Sequence, residues 1–336
     1  MKICVLGDPT WDDPFDPSYY LQAYDWEMHD LHCPHVAEEL AALAKRGFDV
    51  FLNMCDGAAD EPDRPGIDVV RALEALNVPF TGAASHFYEP TREEMKRVCR
   101  QQGIRYPEGR SFTNERILRR HLKGLRFPLI VKHPNSYGSI GLIKESRVET
   151  IEQLQAQVTR MVENFGGALV EEFIEGREFS ALVSENPDDP NDPITYVPVE
   201  IIFPEGESFK HTAMKWERFT EMTVWPVLEE PLATRLRDMT KKLFLGLDGT
   251  GYGRCDIRMD AQGELFMLEI NPQGAVFYPP DQPGMADYIL QYDERGHAGF
   301  IDLLLRSAFA RYRRRNEMQM GASILPREMQ ESRRAK

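Results

Sequence analysis

A chain of 336 residues, 42% of them hydrophobic, is long enough for two or three packed domains. Its formal net charge of −14 argues against a general nucleic-acid binder, which needs a basic face, but leaves room for a nucleotide pocket lined by a few local cations. Five scattered cysteines with no Cys-x-x-Cys pair indicate neither a disulfide framework nor a zinc ribbon, and no apolar run approaches the roughly 18 residues of a membrane span.

A reducing cytosol fits this composition best, and MKICVLGDP at the N-terminus reads as a strand rather than a signal peptide. MKICVLG (1–7) and DVFLNM (49–54) are expected to be buried parallel strands, with an amphipathic helix over 36–46 ending at Gly47 between them. A second helix over 67–76 and the short strand and turn VPFTG complete an open parallel α/β domain over residues 1–90. It lacks the GxGxxG of a dinucleotide-binding dehydrogenase. Asp12, Asp13, Asp16, Asp25, Glu27 and His29 are candidates to recognise a cationic substrate group, against the simpler reading of an acidic loop. His29, His32, Cys33 and His35 fall within one short stretch that matches no zinc spacing, so a loop entering the helix is the favoured reading over a metal site.

Residues 91–179 are expected to form a small central α+β domain: helices over 91–103, 116–122 and 150–164, and strands at FPLIVKHP and GALVEEFIEG. Residues 180–312 supply a C-terminal α+β domain with strands EFSALVS and YVPVEII, a helix over 231–245 and a hairpin. The basic stretch 313–336 is expected to be a disordered tail, beginning as a helix that frays.

The hairpin GYGRCDIRMDAQGELFMLEINP (251–272) carries the chemistry. Asp260-Ala261-Gln262-Gly263 is a turn between two apolar-rich runs. The period of two puts Arg254 with Asp256 on one side and Glu269 with Asn271 on one side, so the obvious register converges all four. Two carboxylates and an amide oxygen are the hard donors Mg²⁺ prefers. Glu269, embedded in FMLEI, is expected to be buried and so to need a partner or a cation. Upstream, VKHPNSYGSIGLIK (131–144) has the small residues that let backbone N–H groups approach phosphates, although it is no Walker loop. Lys132 lies on the strand just before the loop's core (135–141), and Phe173 with Ile174, flanked by Glu171 and Glu178, can hold a planar base and ribose hydroxyls.

From about residue 48 to 274 these segments resemble, in order, spacing and chemistry, an ATP-grasp ligase of the D-alanine–D-alanine ligase group. The resemblance implies an ATP-grasp fold with the three domains above, binding ATP and Mg²⁺, or Mn²⁺ in its place. It places Arg92 and Lys132 on the ATP lysines, Arg92 keeping only the charge. Ser136, Gly138, Ser139 and Gly141 fall on the phosphate-covering loop; Glu171, Glu172, Phe173 and Ile174 on the adenine hinge; Glu178 on the ribose carboxylate. Lys215 falls near the γ-phosphate, Arg254 and the backbone N–H near Gly274 on the oxyanion site, and Asp256, Glu269 and Asn271 on the magnesium ligands.

The departures bear on substrate. GDPTWDDPFDPSYYLQAYDW replaces the group's Gly-Gly and Ser-x-Glu segment, the loop after Asn271 is shorter and bulkier, and YPPDQPGMADY shows no Ser-Leu pair for a second alanine. The expectation is therefore an ATP-dependent carboxylate–amine ligase working through an acyl phosphate on an amino acid or small peptide-like acid, with two alanines not implied. Its partners would be small molecules, with a homodimer as an open alternative and neither nucleic acid nor membrane involved. Two readings stay open beside it: a same-fold ligase for a non-amino-acid carboxylate of secondary metabolism, and a nucleotide-binding protein without turnover.

Overall fold

The computed structural model describes residues 1–10, 15–58, 61–114, 122, 124–135 and 138–324. Asp12, Asp13, Ser136, the helix expected over 116–122 apart from Leu122, and the tail beyond Ile324 lie outside the described residues.

β1 (Lys2–Gly7) is buried almost throughout and is the centre of a three-stranded parallel sheet, between β2 (Asp25–Asp30) and β3 (Val50–Asn53). Alternate residues serve its two faces. Cys4 and Leu6 join a core with residues of α1 (Val36–Leu43) and α2 (Ile67–Ala75), whereas Ile3 and Val5 face the core formed by the C-terminal helices. α1 tightens into a 3₁₀ turn at Ala44–Arg46, and Gly47 ends it at φ 75°. β2 was not expected as a strand, because DWEMHD has no apolar run; the free edge of β1 dictates the pairing. Its Glu27 is neutralised by Lys2 at 2.6 Å and by Arg46 and His29, and so is not a free recognition carboxylate. His32 pairs instead with Glu39, and His35 with Glu38, so the histidines of the cluster turn to separate carboxylates.

α3 (Arg92–Gln102) starts at a Thr91–Glu94 capping box. It leads into a four-stranded antiparallel sheet, order β4-β7-β5-β6, made of β4 (Gly109–Phe112), β5 (Leu129–Lys132), β6 (Arg147–Val148) and β7 (Ala168–Glu172). α4 (Ile151–Phe165) backs this sheet, capped by Thr150 and closed by Gly166 at φ 72°.

The third sheet has six antiparallel strands in the order β11-β10-β8-β12-β13, with β9 on β8. They are β8 (Arg177–Ser184), β9 (Ile194–Thr195), β10 (Val199–Ile202), β11 (Thr223–Pro226), β12 (Tyr252–Met259) and β13 (Leu265–Pro272). α5 (Thr212–Trp216) and α6 (Glu230–Gly246) lie between its strands in sequence. α3 packs on α6 and β13, which brings its first turn over the hairpin. α7 (Met285–Tyr292) and α8 (Gly296–Ile324) close the chain.

The basic segment expected to fray from residue 313 continues as helix to Ile324. Two of its arginines and Arg311 just before them are held by partners: Arg311 donates to Phe80 O and Gly82 O, Arg314 pairs with Glu185 at 2.8 Å, and Arg315 donates to Val78 O. This ties the last helix to the loop after α2. Among the described residues no helix is long and apolar enough to cross a membrane, and all five cysteines are free thiols.

Asp287 organises the loop between β13 and α7. Fully buried, it accepts N–H bonds from Phe277, Tyr278 and Gly284 and bonds to His297 at 2.9 Å. Asp287→Ala should strand these buried donors and cost on the order of 3 kcal/mol, read as a lower urea midpoint; an unchanged midpoint would refute the role.

Candidate active site

In the hairpin Arg254 stands opposite Asn271 and Asp256 opposite Glu269, so all four side chains share one face of the sheet. A register shift between Asp256 and Ile257 follows the quartet. Asp256 accepts from Ser180 Oγ at 3.1 Å and lies 3.4 Å from Lys210 Nζ and 3.6 Å from Arg254 Nε. Burial alone would raise its carboxyl; Lys210, Arg254, the Ser180 hydroxyl and Lys215 outweigh burial and hold it at about 2. Glu269 is tied to Arg92, Oε2 to Nη2 at 3.0 Å.

Asp256 and Glu269 of the quartet line a cleft between the second and third sheets. Behind Lys132, which lines the second-sheet wall, Glu171, 3% exposed, accepts from Lys132 at 3.0 Å and from Lys96 at 2.6 Å. Here too burial pushes the carboxyl up, but Lys132, Lys96 and Arg92 bring it down to about 2. Glu172 lines the cleft, its carboxylate accepting from Arg126 N at 3.0 Å. Phe173 packs with Ile130, Phe209 and Leu142 into an apolar cluster along the cleft, and Ile174 is buried beside it. Glu178 is held by Arg258 and Lys210, each at 3.3 Å.

The Gly/Ser loop closes over the opposite end. Gly138, Ser139 and Gly141 all take positive φ, and a Cβ on Gly141 would lie 2.7 Å from the Phe165 ring. α5 latches the loop: Trp216 Nε1 donates to Gly138 O at 3.2 Å, and Thr212 Oγ1 to Ser139 O at 2.7 Å. Lys215 Nζ lies 4.0 Å from the position of a Gly138 Cβ. At the far end of the hairpin, a Cβ on Gly274 would lie 3.4 Å from Arg254 Nη1, so the Gly274 backbone lies beside that guanidinium.

Asp256, Glu269 and Asn271 suit a Mg²⁺ ion, since all offer hard oxygens; the buried Arg254 Nε, without a hydrogen-bond partner among the described residues, suits an anionic oxygen beside it. Asn271 directs Nδ2 toward Asp256 at 3.5 Å, and a turn of its amide would present the oxygen instead. With only two carboxylates, the set would draw on phosphate oxygens and water for the rest of the coordination shell; no cluster of three His, Cys, Asp or Glu occurs among the described residues.

A second cleft lies between the C-terminal ends of β1 and β3 and the loop after the hairpin, lined by Asp8, Met28, Met54, Asp56, Tyr252 and Tyr278 among others. Arg64 there donates to Asp8, Asp56 and Glu61 at 2.8, 2.7 and 2.9 Å. Of the expected recognition residues, Asp16 instead caps the turn Pro17–Tyr19, and Asp25, Glu27 and His29 lie along β2 without lining the cleft. Asp8 and Asp56 were readable, since Asp8 follows directly on β1 and Asp56 lies three residues beyond β3, at the strand ends where open α/β sheets bind ligands.

Sequence reasoning also passed over Lys96, Lys210, Arg258 and Gln273. Lys96 carried a signal, one helical turn beyond Arg92. Gln273, buried at φ 52°, donates to Cys55 O at 2.8 Å and accepts from Ala83 N, stitching the hairpin's end to the first sheet's loops.

Lys215 gives the site a pH signature. Burial, with Arg254 and Lys210 nearby, lowers its ammonium to about 8, against the pull of Asp256 and Glu269. The cation is present below that pH and lost above it; with Lys215 near the γ-phosphate, as the resemblance implies, ATP affinity should hold at lower pH and weaken, by up to about tenfold per pH unit, as pH rises through about 8. Calorimetry across pH checks this. Lys215→Arg should flatten the alkaline limb, and an unaltered limb in that variant would refute the assignment.

The family model for the D-ala D-ala ligase C-terminus matches residues 101–287, more than half of the chain. A D-alanine–D-alanine ligase of Chromohalobacter salexigens is 29% identical over 240 residues, 70% of either chain. An uncharacterized protein of Sinorhizobium fredii is 31% identical over 260 residues, covering 71% of this chain and 69% of its own. The ATP complex of the Bacillus anthracis D-alanine–D-alanine ligase superposes with a TM-score of 0.65 at 17% identity, covering 94% of this chain and 99% of that one, which shows a common fold. The chain belongs to the D-alanine–D-alanine ligase-like group of the ATP-grasp superfamily.

Proposed function

We propose that the protein is an ATP- and Mg²⁺-dependent ligase that joins a carboxylate to an amine through an acyl phosphate, releasing ADP and phosphate. The observation that carries this reading is the hairpin quartet of Arg254, Asp256, Glu269 and Asn271 on one sheet face, two of whose members, Asp256 and Glu269, line a cleft together with Arg92, Lys132 and Ser139 of the loop under Lys215.

In this scheme adenine lies along the apolar wall of Ile130, Phe173 and Phe209, and Glu178 accepts from the ribose. Arg92, Lys132 and Lys215 hold the phosphates, while the glycines of the loop let its backbone close over them. Mg²⁺, or Mn²⁺, held by Asp256, Glu269 and Asn271 would offset the charge of the phosphoryl group in transfer. The substrate carboxylate oxygen attacks the γ-phosphorus and ADP departs. The amine then attacks the acyl carbon, Arg254 and the Gly274 N–H receive the developing oxyanion, and phosphate leaves.

The first substrate is assigned to the second cleft, next to Gly274. Its acidic groups outnumber Arg64, favouring an acid that also bears an ammonium group, such as an amino acid or peptide-like acid. Its bulky lining, with Met28, Met54 and Tyr278, accounts for why two alanines need not be the substrates.

Activation and ligation separate by variant. With Arg254→Ala, acyl phosphate should still form and be trapped by hydroxylamine, while amide falls on the order of a hundredfold. With Asp256→Asn, hydroxamate and amide should fall together. Amide formation at the normal rate by Arg254→Ala under saturating amine would remove the arginine from ligation.

A further inference from the structure

One buried cation of the cleft has no part in the scheme above. Lys210, its side chain 15% exposed, lies 3.3 Å from Glu178 Oε1 and 3.4 Å from Asp256 Oδ1. It thus bridges the carboxylate on the ribose side of the cleft and the carboxylate on the metal side. Its backbone is anchored: Ser139 Oγ donates to Lys210 O at 3.0 Å, and the next residue, His211, caps α5 and bonds to Glu207. The backbone of the residue is therefore tied to the latch that closes the phosphate loop, while Glu178 and Asp256 hold its ammonium.

A buried carboxylate is stable only with a compensating charge, and Asp256 already has one. A divalent ion arriving alone at Asp256 adds its charge beside Lys210 and Arg254, both already on Oδ1, and the other carboxylate that Lys210 meets, Glu178, is itself held by Arg258. It would also raise the positive charge of a corner that contains Arg254 and Lys215. A triphosphate alters both terms, since it supplies new anionic oxygens to Lys210 as the metal takes over Asp256.

We propose that Lys210 is a resident counter-cation that keeps Asp256 from binding a divalent metal until a nucleotide enters, making metal and ATP binding strongly cooperative. The proposal rests on the reading of Asp256 as a metal ligand. Lys210 is a positioning residue in this role, acting through Asp256.

The test is Mn²⁺ binding by the full chain, followed through the electron paramagnetic resonance signal of free Mn²⁺, with and without a non-hydrolysable ATP analogue. The wild-type protein should bind Mn²⁺ at least about tenfold more tightly with the analogue than without it. Lys210→Met should tighten nucleotide-free binding by about tenfold or more and so narrow that gap; Lys210→Gln gives a second variant should the first fail to fold. Lys210→Arg, which keeps the charge, should behave as wild type, and adding Asp256→Asn to Lys210→Met should abolish the gained binding. Equal nucleotide-free affinities in wild type and both neutral variants, with normal analogue-dependent binding, would overturn the proposal alone. Absence of Mn²⁺ binding by the wild type even with the analogue would overturn the metal assignment, and the proposal with it.

Discussion

The cleft depends on the pairing of buried carboxylates with cations. The buried Glu171, Glu178 and Asp256 and the half-buried Glu269 lie in or directly behind the cleft wall, and each is met by a lysine or arginine within 3.4 Å. Desolvating any one of these charges alone would cost several kcal/mol, so each acid fixes its base in place. The resulting array of positioned cations is what a triphosphate needs, and the carboxylates beside them are what a divalent ion needs. Such groups need little reorganisation at the moment of reaction, which is how electrostatic catalysis gains its advantage over water.

The surrounding elements serve that array. Antiparallel pairing of β8 with β12 sets Arg258 opposite Glu178 and Ser180 opposite Asp256, while pairing of β12 with β13 sets Glu269 against Asp256. α3 lies over β13, and its helical spacing sends Arg92 to Glu269 and Lys96 to Glu171. Gln273 and the arginines of α8 join the first sheet's loops to the rest of the chain, so the second cleft is held against the end of the hairpin.

Legibility in the sequence followed the strength of the local pattern. The strands around 1–7, 49–54 and 251–272 were readable, as were the helices at 67–75, 92–102, 151–165 and 230–246, because apolar periodicity and turn or cap residues agree there. β2 was not, because it is a polar edge strand whose structure comes from its neighbour. The extent of α8 was hidden in the same way: its arginines resemble a solvated tail, yet several bind backbone carbonyls far away in sequence. At the site, strand period two foretold that Arg254, Asp256, Glu269 and Asn271 converge. Lys210 has no motif or periodicity of its own; only the meeting of β8, β12 and the segment before α5 shows what it touches.

The central claim is that this array activates a carboxylate for amide formation. The most direct measurement is a screen of paired carboxylates and amines, amino acids with bulky side chains among the acids, for phosphate release, with mass spectrometry of the products. The account requires a product whose mass is that of acid plus amine less water, formed only with ATP and a divalent metal and matched by equimolar phosphate. ATP hydrolysis without any such product across the panel, or amide formed without nucleotide, would contradict it.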